Sequence, residues 1–421
     1  MRIALAAAAA LAFAACSSQQ AIETLAKCER ELGNADAQLA QARASQAASE
    51  QKVAALEEQI KASREQAATR VAAAPAAPAP VDEPVRAEPT GRGQASTRAR
   101  PEPREPAMGG TLRVGLSLPG QREERWIKDK LVMLGEAKKR GVDLRVQVTD
   151  NDAVKQIAQC ESLIAQGIKV LILAPHDGAT AAVIIEKAAR AGVKVISYDR
   201  LVVDSPLDYY YLSFDGVKVG ELQGEFLTRK VPKGTYVVLA GSPTDNNAKL
   251  FRQGAMRYIQ PLAERGDAKV IMDQFVKDWS PAEAQKLCEQ ALTMADNKID
   301  AVLAPNDGTA GGCLQALAAQ GLAGKVPITG QDADLAAAIR INQGTQSMTV
   351  FKDTRMLGRK AVEMAVDLAH GRAIDTHGRT IFNNKRQVPA VLLAPYVVTK
   401  QNLDELLIQS GYLNREAVYR K

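Results

Sequence analysis

From Thr111 onward the chain alternates short apolar runs with stretches of helical period, and this alternation restricts the fold more than any other feature. The runs lie at 112–118, 144–148, 170–174, 194–197, 236–240, 269–275, 301–304 and 326–329. Most are separated by helical patterns of about 12 to 18 residues, too long for hairpin turns and long enough for crossover helices. Such a chain builds parallel sheets with helices on both faces, an α/β fold. About 310 residues of this pattern exceed one comfortable core, so two lobes are expected, with a break after residues 209–215.

In an open parallel sheet, ligands bind outside the carboxyl ends of the strands. Polar residues crowd those positions here. Arg125, Trp126 and Lys128 follow the first run, Asp199 and Arg200 the fourth, Asp245 and Asn247 the fifth, and Trp279 the sixth. Asn306 and Asp307 follow the seventh, Gln331 and Asp332 the eighth, and Lys352 comes directly after Thr349, Val350 and Phe351. The chain has only two tryptophans, and both stand on this rim. A sugar presents hydroxyls that donate and accept around a ring with apolar faces, and this mixture of planar hydrogen-bonding groups and aromatic surfaces matches it. Singly, each residue has a plainer explanation: Asp245 or Asp307 as a helix cap, a tryptophan as core, Arg125 paired with Glu124 or Asp129 on a solvated helix face. Their joint occurrence on one edge of both lobes favours a binding site. Within the crossover from 304 to 334, Asn306 and Asp332 are read as ligands and Asp307 and Asp334 as caps. The turn at 308–312 is read as packing at a helix start.

Other functional classes lack support. There is no G-x-S-x-G, no Walker loop and no glycine-rich dinucleotide turn after the first run. His176 is the only histidine near the rim and is assigned a loop or cap role rather than a catalytic one. Neither cofactor nor metal is expected, because Cys28, Cys160, Cys288 and Cys313 form no C-x-x-C pair. The last three fall in apolar helical patterns and read as buried free thiols. A net charge of +6 without any basic run argues against nucleic acid.

Residues 1–15 carry one early Arg, an apolar stretch too short to span a bilayer and then small residues, which is the pattern of an export signal. The ending Phe13-Ala14-Ala15-Cys16 resembles a bacterial lipoprotein processing site, which makes Cys16 the lipidated first residue and the membrane anchor. Residues 16–70 are helical in pattern, with a heptad seam through Leu25, Leu32, Leu39, Val53 and Ile60. Either a thin coiled coil or a solvated spacer accounts for it; if two copies associate there, Cys28 could crosslink them. Residues 71–108 are rich in proline and alanine and read as an extended linker.

The segments E-R-W-I-K-D at 124–129, Y-D-R at 198–200, G-S-P-T-D-N-N-A-K-L-F-R at 241–252, N-D-G-T-A-G-G at 306–312 and G-Q-D-A-D-L at 330–335 carry a family likeness. Over residues 111 to about 409 the chain resembles the periplasmic sugar-binding proteins of the ribose/galactose type, and among them the D-xylose-binding members that serve ABC importers. The resemblance implies a two-lobed, periplasmic-binding-protein type I fold. The lobes are drawn as 111–216 with 353–388, and 217–352 with 389–421. It implies hydrogen bonds to a monosaccharide from Arg125, Lys128, Asp199, Arg200, Asp245, Asn247, Asn306, Asp332 and Lys352, with Trp126 and Trp279 packing on the ring. It further implies no enzymatic activity, an ABC permease as partner and a place on the periplasmic side of the cell envelope. Service to a membrane kinase or chemoreceptor, or another pentose or hexose as ligand, are the alternatives.

Overall fold

A computed structural model describes residues 111–419, all within one compact unit. The export signal, Cys16, the heptad segment and the linker lie outside the described residues.

The first lobe is built on a seven-stranded sheet. In chain order its strands are β1 (Arg113–Leu118), β2 (Asp143–Val148), β3 (Val170–Leu173), β4 (Lys194–Tyr198), β5 (Tyr210–Phe214), β10 (Thr380–Phe382) and β11 (Gln387–Leu393). They lie in the order β10-β11-β5-β4-β3-β1-β2, parallel except for β10 at the edge. Strand side chains alternate between faces, and both faces are covered. Val170 and Ile172 of β3 pack with Trp126 and Met133 of α1 (Glu124–Lys139) and Leu357 and Ala361 of α9 (Thr354–Ala369). Leu171 and Leu173 point the other way, toward Cys160 and Leu163 of α2 (Ala153–Ala165) and Ile184 and Ile185 of α3 (Ala182–Arg190).

The second lobe repeats the plan. Strands β6 (Gly234–Ala240), β7 (Ala268–Phe275) and β8 (Ala301–Leu303) pair in the order β7-β6-β8, all parallel. Helices α4 (Gly216–Lys230) and α5 (Asn246–Glu264) cover Tyr236 and Val238 on one face. On the other, α6 (Pro281–Met294) and α7 (Asp307–Ala319) cover Val237 and Leu239. Beyond β8 the sheet continues through single bridges to β9 (Thr349–Phe351), which pairs with β12 (Tyr396–Val398). Helix α8 (Leu335–Gln343) and the C-terminal α10 (Arg415–Tyr419) close that end.

Four expectations change. The run at 326–329 is not a ladder strand: it contacts β8 through one bridge, Val302 to Ile328, because Pro327 has no N–H to extend the pairing. The stretch at 209–215, not counted among the apolar runs, contains a full strand, β5, just ahead of the expected lobe break. Residues 389–393, assigned to the second lobe, belong to the first, since Ala390 to Leu393 pair in parallel with Tyr211 to Phe214. The change of lobe therefore falls between Leu393 and Tyr396. Cys288 and Cys313, expected as free thiols, form a disulfide between α6 and α7; Cys160 is free and buried as expected. The glycines at 308–312 serve packing: a Cβ on Gly312 would lie 2.0 Å from the Pro281 carbonyl oxygen, so glycine is what lets α7 approach α6.

Candidate functional site

The carboxyl ends of both sheets face one another, and ten of the eleven ligand residues expected from the sequence meet there. Arg125 and Trp126 come from the first turn of α1, Asp199 and Arg200 from the loop after β4. Across the cleft, Asp245 and Asn247 start α5, Trp279 stands in a 3₁₀ turn after β7, and Asn306 caps α7. Asp332 and Lys352 follow the Ile328 segment and β9. Together with Glu123, Phe251 and Gln331, these residues line a cavity between the lobes.

Charged groups alternate in sign around its wall. Arg125 Nη1 lies 2.6 Å from Asp199 Oδ1, while its Nε and Nη2 donate to Asp129 Oδ2 at 3.2 and 3.1 Å. Tyr198 donates its hydroxyl to the other oxygen of Asp129. Lys352 Nζ is 3.1 Å from Asp332 Oδ1 and 3.6 Å from Asp199 Oδ1. Arg200 Nε bonds Asp245 Oδ2 at 2.9 Å, and Trp279 Nε1 donates to the same oxygen at 3.2 Å. Burial alone would discharge such groups; it is the mutual pairing that holds them. Burial opposes the Arg125 charge, but Asp199, Asp129 and Asp332 outweigh it and raise its pKa. Burial likewise opposes ionised Asp199, yet Arg125, Lys352 and Arg200 hold it below the usual carboxylate range. For Asp129 burial prevails and lifts the carboxyl to about 6.

Several of these pairs join the lobes. Arg200 to Asp245, Lys352 to Asp199, and Asn247 Nδ2 donating to the Asp199 carbonyl at 3.0 Å all cross the cleft. The aromatic surfaces lie among them. The Arg125 guanidinium sits 4.5 Å from the Trp126 ring centroid, and Trp279 meets Phe251 edge to face at 6.1 Å. Buried Glu123 Oε2, Trp126 Nε1 and Gln331 Oε1 have no protein hydrogen-bond partner, so the wall offers acceptors and a donor to a bound molecule.

The backbone is strained where it aims these groups. Asp199, Trp279 and Asp332 have φ of 58°, 55° and 100°, a region that L-residues other than glycine seldom occupy. Gly241 makes room for the indole: a Cβ there would lie 2.1 Å from Trp279 Cη2.

Lys128 is the one expected ligand that does not line the cavity. Its Nζ lies 2.7 Å from Glu124 Oε1 and 4.1 Å from the Tyr412 ring centroid, outside the cavity wall. It pairs with Glu124, four positions back, as Asp129 pairs with Arg125. The cap assignments also change. Asn306, not Asp307, caps α7: its Oδ1 accepts from Thr309 N at 2.9 Å, and the residue also lines the cavity. Asp307 instead accepts from Asp334 N, Gln346 Nε2 and Thr349 Oγ1 at 3.0, 2.8 and 2.9 Å. Asp334 stands before α8 without a side-chain cap bond. Asp245 is both cap and wall, accepting from Asn247 N at 2.9 Å. His176 lies beside the cleft, 3.9 Å from Asp278 Oδ1, and burial followed by Arg200 lowers its pKa.

Glu123 and Phe251 were not anticipated. Phe251 lies inside α5, four positions beyond Asn247, and only helical spacing counted from that residue would have aimed it at the cleft. Gln331 was noted after its run but not chosen as a ligand. Among the described residues no cluster of His, Cys, Asp and Glu could hold a metal ion, and no helix is long and apolar enough to cross a membrane.

Residues 114–373 match a family described as the periplasmic binding protein domain. The chain belongs to that family. Its members bind solutes rather than catalyse reactions. This periplasmic binding protein is 45% identical over 308 residues to a D-xylose-binding periplasmic protein of Haemophilus influenzae, covering 73% of this chain and 92% of the relative. It is 44% identical over 303 residues to the Escherichia coli (strain K12) protein of the same description, covering 72% and 91%. A solute-binding protein from Chloroflexus aurantiacus, solved in complex with D-glucose, superposes with a TM-score of 0.68 at 35% identity, covering 73% of this chain and 98% of the other.

Proposed function

We propose that the protein is an exported receptor that closes its lobes on one monosaccharide, D-xylose foremost, and delivers it to an ABC importer. The observation that carries this reading is the cavity between the lobes, to which both contribute charged hydrogen-bonding groups and aromatic rings. Alternating carboxylates and cations provide paired acceptors and donors for ring hydroxyls, and Trp126, Trp279 and Phe251 offer faces for the C–H surfaces. The cavity-wall ligands are then Arg125, Trp126, Asp199, Arg200, Asp245, Asn247, Trp279, Asn306, Asp332 and Lys352, joined by Glu123, Phe251 and Gln331. The D-xylose-binding relatives support a pentose, and the D-glucose-bound neighbour keeps hexoses in the test.

Calorimetric titration of the purified full chain with D-xylose, D-ribose, L-arabinose, D-glucose and D-galactose tests the assignment. Affinity near micromolar, on the order of 8 kcal/mol, is expected for the cognate sugar. No binding of any of these sugars would refute it. Anchoring through Cys16 is the second part of the proposal: fatty-acid labelling of the expressed protein should vanish in Cys16→Ser, and persistent labelling would exclude that residue.

A further inference from the structure

The first turn of α1 carries two carboxylate–cation pairs in adjacent i,i+4 registers. Arg125 and Asp129 form the cavity wall and its support. Glu124 and Lys128, each one residue earlier, are rotated by about 100° and lie outside it. Glu124 Oε1 is 2.7 Å from Lys128 Nζ, and Glu124 Oε2 accepts a hydrogen bond from the backbone N–H of Leu335 at 2.9 Å. Leu335 is the first residue of α8 in the other lobe. A carboxylate from one lobe thus supplies the N-terminal acceptor for a helix of its neighbour.

Helix α8 has no local substitute. Asp334 occupies the capping position, yet its side chain makes no cap bond. Burial, then Asp307 and Asp332, push its carboxyl well above the usual range, so the group that would ordinarily supply a negative charge there is held neutral. Lys128 in turn is braced: its Nζ sits 4.1 Å from the centroid of Tyr412, which packs edge to face on Phe351 at 4.6 Å.

We infer, resting on the binding role proposed above, that Glu124 and Lys128 form a clasp that sets the balance between open and closed lobes without touching the sugar. The bond to Leu335 requires the lobes to meet, so it stabilises the closed state selectively. Shifting that balance changes the apparent affinity of every ligand by one common factor. A side chain that contacts the sugar instead changes the ratio between sugars, because the wrong sugar leaves its polar atoms unpaired. These are positioning residues, and the two roles separate by measurement.

The full chain carrying Glu124→Ala, Glu124→Gln or Lys128→Met is titrated with D-xylose and with each other sugar that the unmodified protein binds. Glu124→Ala should weaken all of them equally, by about tenfold, or roughly 1.4 kcal/mol. Glu124→Gln should recover part of the loss, since its amide oxygen still accepts from Leu335, and Lys128→Met should cost less than Glu124→Ala. Unchanged affinity in Glu124→Ala, or a ratio between sugars that moves with Lys128→Met, overturns the clasp. Amide hydrogen exchange over residues 333–343 gives a readout independent of sugar. Faster exchange at the start of α8 in unliganded Glu124→Ala supports the clasp, and unchanged exchange overturns it. If the unmodified protein binds no sugar, the binding role fails separately and the exchange result alone decides the clasp.

Discussion

Removing the disulfide between Cys288 and Cys313 should lower stability substantially and leave sugar recognition nearly untouched. The two sulfurs join α6 and α7 across a sequence separation of 25 residues. Closing a loop of that length removes about 12 cal/mol/K of chain entropy from the unfolded state, or about 3.5 kcal/mol at 25 °C. Cys288 and Cys313 are 2% and 0% exposed, so the double substitution to alanine avoids burying hydroxyls. For a cooperative unit of lobe size, that loss lowers the melting temperature by roughly 7 to 14 °C. Thermal unfolding followed by circular dichroism, with and without reductant, measures it. The unmodified protein under reducing conditions should approach the variant, whereas the variant should not respond to reductant. Equal melting temperatures, together with two more maleimide-reactive thiols in the unfolded, unreduced unmodified chain than in the double variant, would refute the crosslink and restore the free-thiol reading.

Gly241→Ala should weaken sugar binding at least about tenfold while the chain still folds, because the added Cβ would fall 2.1 Å from Trp279 Cη2 and push the indole off its position; wild-type affinity would show that the ring is not part of the site. Asp332→Ala should cost roughly tenfold or more in affinity, since it leaves Lys352 Nζ without its partner at 3.1 Å and removes an acceptor from the cavity wall; titration decides, and unchanged binding removes Asp332 from the site. Burial raises both Asp307, to about 7, and Asp334; the Asp307 charge raises Asp334 further, and the Asp332 charge raises both. With three donors converging on Asp307, the proton the pair retains rests on Asp334. A raised carboxyl pKa contributes stability that is present at low pH and lost as pH rises through the folded value, at up to about 1.4 kcal/mol per pH unit per proton. Melting temperature should therefore fall as pH rises from about 4, where the unfolded carboxyl ionises, toward the raised folded value, and Asp334→Asn, which mimics the protonated acid, should flatten that slope; an unaltered slope would assign the titration elsewhere.

What the sequence revealed follows the range of the interactions concerned. The strand–helix alternation determines which residues stand at the carboxyl edges, and Asp199, Asp245, Asn306 and Asp332 needed nothing more than that to be placed at the cleft. Lys128 stands off the cavity wall because it pairs with Glu124, while Arg125 and Asp129 form the next i,i+4 pair, about 100° further round the helix. The disulfide and the placement of β11 depended on contacts between distant elements. Nothing in the apolar helical pattern around Cys288 or Cys313 says that α6 and α7 are neighbours, and the glycine at 312 that permits their approach looks locally like any turn residue. The pattern of β11 suits either sheet equally; only the parallel partner β5 decides it.

The same separation of ranges bears on how the receptor is built. Residues that meet the sugar sit beside the strand ends, where local sequence dictates their direction and where strain at Asp199, Trp279 and Asp332 can be held by the surrounding core. Residues that balance the open and closed states need only bridge two surfaces that happen to meet, and Glu124 does so from the helix that also carries Arg125. Affinity and selectivity are thereby assigned to different faces of one helical turn. On the proposed roles, a change at Glu124 tunes how tightly the lobes hold any sugar, while a change at Arg125, one residue away, alters the ratio between sugars.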